Sequence, residues 1–341
     1  MKKRLKKFLI PMLASQSVSD LATRLLGYGI PVFMMHRFVS DGADNGGHTP
    51  DFLRRCLQFL KNNGHTFVSL EEVMIALQRR TPLPDKPVVF TMDDGFIDQA
   101  TLAAPVFSEF NCPATIFLIS GMIDGKLWPW DDKVAYIIKN STHETIEITI
   151  DKDKHSFTLD SEQNIYNAIS SIQNIIKTMQ GESITESLQI IADAAKVAVP
   201  VVAPDDYQPM TWDMARSLEN KGISFSPHTV SHRILSKLTE EDAEFEIRCS
   251  WRRLKDELSS PVPIFCYPTG RVADFGKREI EFLKRNKFIG AVSTVPTFVN
   301  MENTSTEYLY SLPRYGLPDN FNDFIQYCTW IEYAKSKLLN R

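Results

Sequence analysis

The chain has 341 residues, 43% of them hydrophobic and 23% charged, enough to bury one large core or two ordinary ones. Its formal charge of −4 is spread out, and no interior stretch is basic enough to act as a footprint for nucleic acid, which removes that partner class. The five cysteines, Cys56, Cys112, Cys249, Cys266 and Cys328, have no paired spacing, so they spell out neither a disulfide framework nor a Cys-based zinc site and favour a reducing compartment.

Residues 1–29 form a basic N-terminal segment. Lys2, Lys3, Arg4, Lys6 and Lys7 precede a short apolar run, and Leu5, Phe8, Leu9, Met12 and Leu13 follow helical spacing. Residues 1–15 are therefore expected to lie on an anionic membrane surface, at the inner face of the membrane in a cytoplasmic protein. The alternatives are an exported chain with a signal peptide, for which Ser15-Gln16-Ser17 offers a cleavage site, or a solubilising tail.

From residue 30 to 341 short β-rich runs alternate with helical ones. Ile30 to Met35, Phe67 to Leu70, Val88 to Met92, Ala114 to Ser120, Ile223 to Ser226, Ile264 to Tyr267 and Ile289 to Ser293 read as strands. Pro50 to Asn63, Glu71 to Arg80 and Ala100 to Phe110 read as helices. A further helix carries Ile247, Trp251, Leu254 and Leu258 on one face, behind a capping signal at Thr239. Such alternation specifies a parallel sheet, open or closed into a barrel. One stretch, about 125–208, breaks the rhythm. It reads as a hairpin around Asp151 to Lys154 followed by helices over Ile165 to Met179 and Ser183 to Val197, an insertion between two strands.

Four strand ends carry polar groups, and catalytic groups of parallel α/β folds sit at the carboxyl ends of strands. The run Val88-Val89-Phe90-Thr91-Met92 ends in Asp93-Asp94-Gly95. Two adjacent carboxylates repel each other unless something offsets them. A metal on one would free the other to act as a base, although a plain Asp-Asp-Gly turn also fits. Gly222 to Ser226 runs into His228, with His232 four residues on; a helical turn there would aim both imidazoles at one ion. Two imidazoles and a carboxylate suit Zn²⁺. His36 ends the first strand and is the candidate general acid. Ile264-Phe265-Cys266-Tyr267-Pro268-Thr269-Gly270-Arg271 ends in a turn that could aim backbone N–H groups at an oxyanion; an ordinary strand-to-helix turn accounts for it equally well.

Thr91-Met92-Asp93-Asp94-Gly95 together with His228-Thr229-Val230-Ser231-His232 resembles the polysaccharide deacetylase (NodB-homology, carbohydrate esterase 4) family, over about residues 30–315. The resemblance implies a distorted (β/α)7 barrel, one divalent metal and hydrolysis of the N-acetyl group of an N-acetylated saccharide. By the same carry-over Asp93 is the catalytic base, Asp94, His228 and His232 bind the metal, and the Thr269 amide serves the oxyanion. Two departures stand out. The arginine that opens the family's third motif is Cys266 here, leaving Arg314 or Arg271 to orient Asp93. The late catalytic histidine is also absent, since no histidine follows His232. Met35-His36-Arg37 resembles the first-strand histidine of a branch that acts on poly-N-acetylglucosamine exopolysaccharides. Trp128, Trp130 and Tyr267 are candidate sugar-binding rings, with core packing as the alternative. A glycoside hydrolase on a barrel and a non-catalytic glycan-binding relative are the rival functions, and metal content separates them.

Overall fold

The computed structural model describes residues 16–41, 46–179 and 183–339, so the membrane contact expected of residues 1–15 lies outside the described residues. No helix among the described residues is long and apolar enough to cross a membrane. The strands, in chain order, are β1 (Val32–Met35), β2 (Thr66–Phe67), β3 (Pro87–Asp94), β4 (Ala114–Leu118), β5 (Thr145–Ile150), β6 (Asp153–Thr158), β7 (Ile223–Pro227), β8 (Ile264–Cys266), β9 (Gly290–Val292) and β10 (Tyr315–Gly316).

Strands β10, β1, β3, β4 and β7 form one parallel ladder, with β2 paired to the start of β3, while β8 pairs with β9. Isolated bonds join the two pieces. The Val262 N–H donates to the Phe225 carbonyl at 2.8 Å between β7 and β8, and the Leu312 N–H donates to the Ala291 carbonyl at 2.9 Å on the way from β9 to β10. Strands β1, β3, β4, β7, β8, β9 and β10 thus run in a ring with two weak seams, the distorted (β/α)7 barrel implied by the motifs.

Side-chain alternation sorts residues between the ring's interior and the surrounding helices. Val89 packs with Val32, Phe117, Ile264, Val292 and Leu312. Val88, Phe90 and Met92 instead meet Leu57, Leu60 and Phe107 of the helical layer. Thr91 and Asp93 share the parity of Val89 and so point inward. Each fully buried leucine of the outer layer contributes about 1.5–3 kcal/mol. Local signals set the helix starts: Thr49 accepts from the Phe52 N–H ahead of Pro50–Asn62, and Ser69 and Glu72 close a capping box on Leu70–Arg79. The helix expected from Ala100 instead opens with a π turn, Gln99–Ala103, before Ala104–Glu109. Pro105 has no N–H to offer the Thr101 carbonyl, so a regular α turn cannot close there.

In the expected insertion β5 and β6 pair antiparallel from Thr145↔Thr158 to Ile150↔Asp153. The expected four-residue loop is a two-residue turn, with Asp151 at φ 51 and Lys152 at φ 74, the left-handed pair of a type I′ turn. Ile146, Ile148 and Ile150 pack on Val134, Ile137, Ile172, Ile176 and Ile191 from the helices Trp130–Lys139, Glu162–Ile176 and Ser183–Ala195. This is a second apolar core, separate from that of the barrel.

Candidate functional site

The carboxyl ends of β1, β3 and β7 converge. Asp93 ends the inward-facing row of β3 and is 2% exposed. Arg314, fully buried, clasps it with Nη1 at 2.7 Å from Oδ1 and Nη2 at 2.8 Å from Oδ2. The same guanidinium donates to Thr91 Oγ1 at 3.0 Å, the Ser293 carbonyl at 3.1 Å and Cys266 Sγ at 3.1 Å. Arg314 therefore makes the two-point contact with Asp93 that a thiol cannot, while Cys266 Sγ itself lies 3.6 Å from Asp93 Oδ2. Burial alone would raise the Asp93 pKa, but the charge and hydrogen bonds of Arg314 override it and hold Asp93 below the usual carboxylate range. Arg271 is exposed and donates to Asn174 at 3.0 Å, so it is not the partner of Asp93.

Asp94 leaves the strand at φ 82, followed by Gly95 at φ 89. At that φ a side chain on Gly95 would be strained, and its Cβ would also lie 2.7 Å from Leu118 Cδ2, so the turn favours glycine. The turn places Asp94 Oδ1 at 3.6 Å from Nε2 of both His228 and His232. Asp94 Oδ1 is buried without a hydrogen-bond partner. Ligand atoms about 2.0–2.1 Å from a tetrahedral zinc lie roughly 3.3 Å apart, so three donors at this spacing fit one ion. His228 Nδ1 lies 2.8 Å from the Cys266 carbonyl and His232 Nδ1 lies 3.2 Å from Asp131 Oδ1. Both partners only accept, so each Nδ1 carries a hydrogen, and each ring when neutral presents its Nε2 lone pair towards Asp94.

The electrostatics agree with a cation site. Burial and the neighbouring His232 push the His228 pKa down to about 3, keeping that imidazole neutral. Burial would also lower His232, but Asp131, Asp94 and Asp132 outweigh it and raise the pKa to about 9. Burial raises Asp94. An excess of buried carboxylate around one orphaned oxygen is what a divalent ion would neutralise. Asp93, His228 and Cys266 also lie close enough to share an ion. That set is disfavoured, because the Arg314 guanidinium already occupies Asp93 and the Cys266 sulfur.

The two histidines do not share a helical face, contrary to the expectation. Residues 228–232 are an irregular loop with Thr229 at φ 68 and His232 at φ 59. Left-handed non-glycine residues cost energy and persist only where surroundings impose them. Here the Ser120 and Gly121 N–H groups donate to the Thr229 and Val230 carbonyls at 3.1 and 2.9 Å. Glu246 accepts from the Val230 N–H at 2.7 Å, the Ser231 N–H at 2.9 Å and the Ser231 hydroxyl. The Trp130 Nε1–H donates to the His232 carbonyl at 3.1 Å.

His36 is 49% exposed, with Nε2 at 3.8 Å from Asp93 Oδ2. Gln99, on the π turn, donates from Nε2 to the His36 carbonyl at 2.7 Å and to the Asp93 carbonyl at 2.5 Å, tying the two strand ends together. Thr269, at φ 56, and Gly270, at φ 59, form a tight left-handed turn pinned by the Thr269 hydroxyl on Asp274. The candidate sugar-binding rings are corrected to packing roles. Trp128 is 2% exposed and donates to the Pro200 carbonyl, Trp130 is 5% exposed, and Tyr267 is 1% exposed, stacked on Phe275 and bonded to the Tyr310 carbonyl. Asp131, Glu246 and Gln99 escape a linear reading because their partners lie elsewhere in the chain. Only the acid at the start of a helix, Asp131, leaves even a weak local signal.

A family model described as polysaccharide deacetylase matches residues 139–283, a span that holds both histidines and the turn at Thr269. Poly-beta-1,6-N-acetyl-D-glucosamine N-deacetylase of Escherichia coli (strain K12) is 33% identical over 84 residues, 25% of this chain and 12% of the relative. The chain thus spans only a small part of the length of that curated relative. Among solved structures, Streptococcus pyogenes deacetylase PplD in complex with acetate superposes with a TM-score of 0.57 at 19% identity, covering 89% of this chain and 98% of that one. IcaB from Ammonifex degensii gives a TM-score of 0.56 at 15% identity, covering 89% and 97%. These two likenesses establish a shared fold.

Proposed function

We propose that this chain belongs to the polysaccharide deacetylase family, whose model it matches over residues 139–283, and is a metal-dependent N-deacetylase that removes the acetyl group from an N-acetylated amino sugar of a surface glycan or its precursor. The observation that carries the proposal is the orphaned Asp94 Oδ1, 3.6 Å from the Nε2 atoms of two imidazoles whose Nδ1 atoms are both turned to acceptors. The donor set suits Zn²⁺, held by Asp94, His228 and His232; when bound, the ion supplies Lewis acidity at the scissile amide. The name of the E. coli relative favours an N-acetylglucosamine polymer as the substrate class.

The chain's own residues supply the proton transfers. Asp93, held ionised by Arg314, takes a proton from the attacking water; each carboxylate oxygen keeps a second lone pair despite the guanidinium. The Thr269 amide N–H donates to the oxyanion as the carbonyl carbon becomes tetrahedral. His36, open to solvent on the same rim, protonates the nitrogen as the C–N bond breaks, giving acetate and a free amine. A glycoside hydrolase would need two carboxylates about 5–10 Å apart across the bond. Here Asp93 is clasped by arginine and Asp94 faces the histidines.

Acetate release from a panel of N-acetylated saccharides, including β-1,6-linked N-acetylglucosamine oligomers, tests the proposal. Chelator-sensitive acetate release is expected; new reducing ends without acetate would contradict it. For residues 1–15 the proposal is peripheral contact with an anionic membrane through Lys2, Lys3, Arg4, Lys6 and Lys7. Loss of co-sedimentation with anionic vesicles on removing that segment is the expected result, and unchanged co-sedimentation would refute it.

A further inference from the structure

The inserted segment meets the metal-ligand loop through two neighbouring residues. Trp130 and Asp131 open the helix Trp130–Lys139, and both contact His232: the Trp130 indole N–H donates to its carbonyl at 3.1 Å, and Asp131 Oδ1 lies 3.2 Å from its Nδ1. Asp131 is itself braced, since Gln173 of the helix Glu162–Ile176 donates to its backbone carbonyl at 3.0 Å. An imidazole that binds a cation through Nε2 must be neutral with its hydrogen on Nδ1. A carboxylate at Nδ1 selects that tautomer, fixes the ring's rotation and makes Nε2 a stronger donor. For His228 the corresponding acceptor is a backbone carbonyl of the barrel, that of Cys266. For His232 it is a side chain from the insertion. His232 also sits at a left-handed φ of 59, a conformation that its neighbours must enforce.

We propose that Asp131 is the positioning residue of His232, so that retention of the metal depends on the inserted segment. This rests on the assignment of Asp94, His228 and His232 as ligands. The test uses the full chain, stripped of metal and titrated with Zn²⁺ in competition with a chromophoric chelator, alongside the visible spectrum of the Co²⁺-loaded protein. The wild type is expected to bind one ion and His232→Ala to lose it. Asp131→Ala should bind about 100-fold more weakly and Asp131→Asn, which keeps an acceptor but not its charge, about 10-fold more weakly. Both should melt like the wild type without metal and show shifted Co²⁺ bands. If Asp131→Ala does not fold, the isosteric Asp131→Asn decides alone. Affinity within twofold of wild type in the folded variants, with wild-type binding intact, would overturn the role of Asp131 and leave the metal site standing. No metal uptake by the wild type would overturn both.

Discussion

Replacing Arg314 with methionine removes the guanidinium while keeping most of its aliphatic bulk. The structure leaves Asp93 2% exposed with no other cation bonded to it at hydrogen-bond distance among the described residues, and Thr91, Ser293 and Cys266 each lose a donor. Removing one partner of a buried ion pair costs about 3–5 kcal/mol. At roughly 2 °C per kcal/mol for a long chain, the melting temperature should fall by about 6–10 °C. The catalytic effect has a definite sign. Arg314 holds Asp93 below the usual carboxylate range, so the base is ionised throughout the neutral range. Without the arginine, burial dominates and raises the pKa. The acid limb of the kcat/KM profile should therefore move to higher pH, with a loss of at least about 10² at neutral pH. In Arg314→Met with Asp93→Asn, neither charge remains buried, so stability should largely return while activity does not. Thermal melts of the wild type and the two variants, with pH–rate profiles of the wild type and Arg314→Met, decide the matter. An Arg314→Met protein with wild-type melting and an unmoved acid limb would refute the reasoning.

His36→Ala should lose about 10²–10⁴ in kcat with metal binding unchanged, and its pH profile should lose the basic limb; a normal rate with both limbs present would assign the acid to another group. Glu246→Ala strips the acceptor from Val230 and Ser231 and should cost about 1–3 kcal/mol in chemical denaturation, with weaker metal uptake; unchanged denaturation would show that the loop holds itself. Burial and then Lys86 push the His65 pKa down to about 3 from 6.5, so the unfolded chain binds more protons between those values. Stability should accordingly fall as pH drops from about 6.5 towards 3, and His65→Gln should flatten that slope in urea melts; an identical slope in both proteins would contradict the assignment.

Much of the rim was legible because its groups end apolar runs. Asp93 and Asp94 end β3, His36 follows β1 and His228 follows β7, and strand ends of one parallel barrel share a face. The geometry between His228 and His232 was not legible. Spacing of four suggests a helix, but Thr229 and His232 adopt left-handed φ angles enforced by Ser120, Gly121 and Glu246, which are remote in sequence. The choice between Arg271 and Arg314 likewise depended on which side chain enters the barrel. Arg314 lies beside a two-residue strand, β10, too short to announce itself. Trp128, Trp130 and Tyr267 were ambiguous for a simpler reason: an aromatic ring serves a core or a sugar face equally well until its burial is known. The type I′ turn at Asp151 and Lys152 is two residues shorter than the loop expected over Asp151 to Lys154, because neither turn residue is the glycine or asparagine that would announce it.

The most direct test titrates metal into chelator-stripped protein while acetate release from an N-acetylglucosamine oligomer is followed in the same sample. Activity should return in proportion to bound metal and plateau at one equivalent per chain, and Asp94→Asn should neither take up the ion nor release acetate. Full acetate release by the metal-free protein, or metal uptake undiminished in Asp94→Asn, would contradict the assignment of Asp94, His228 and His232 as the metal centre of an N-deacetylase.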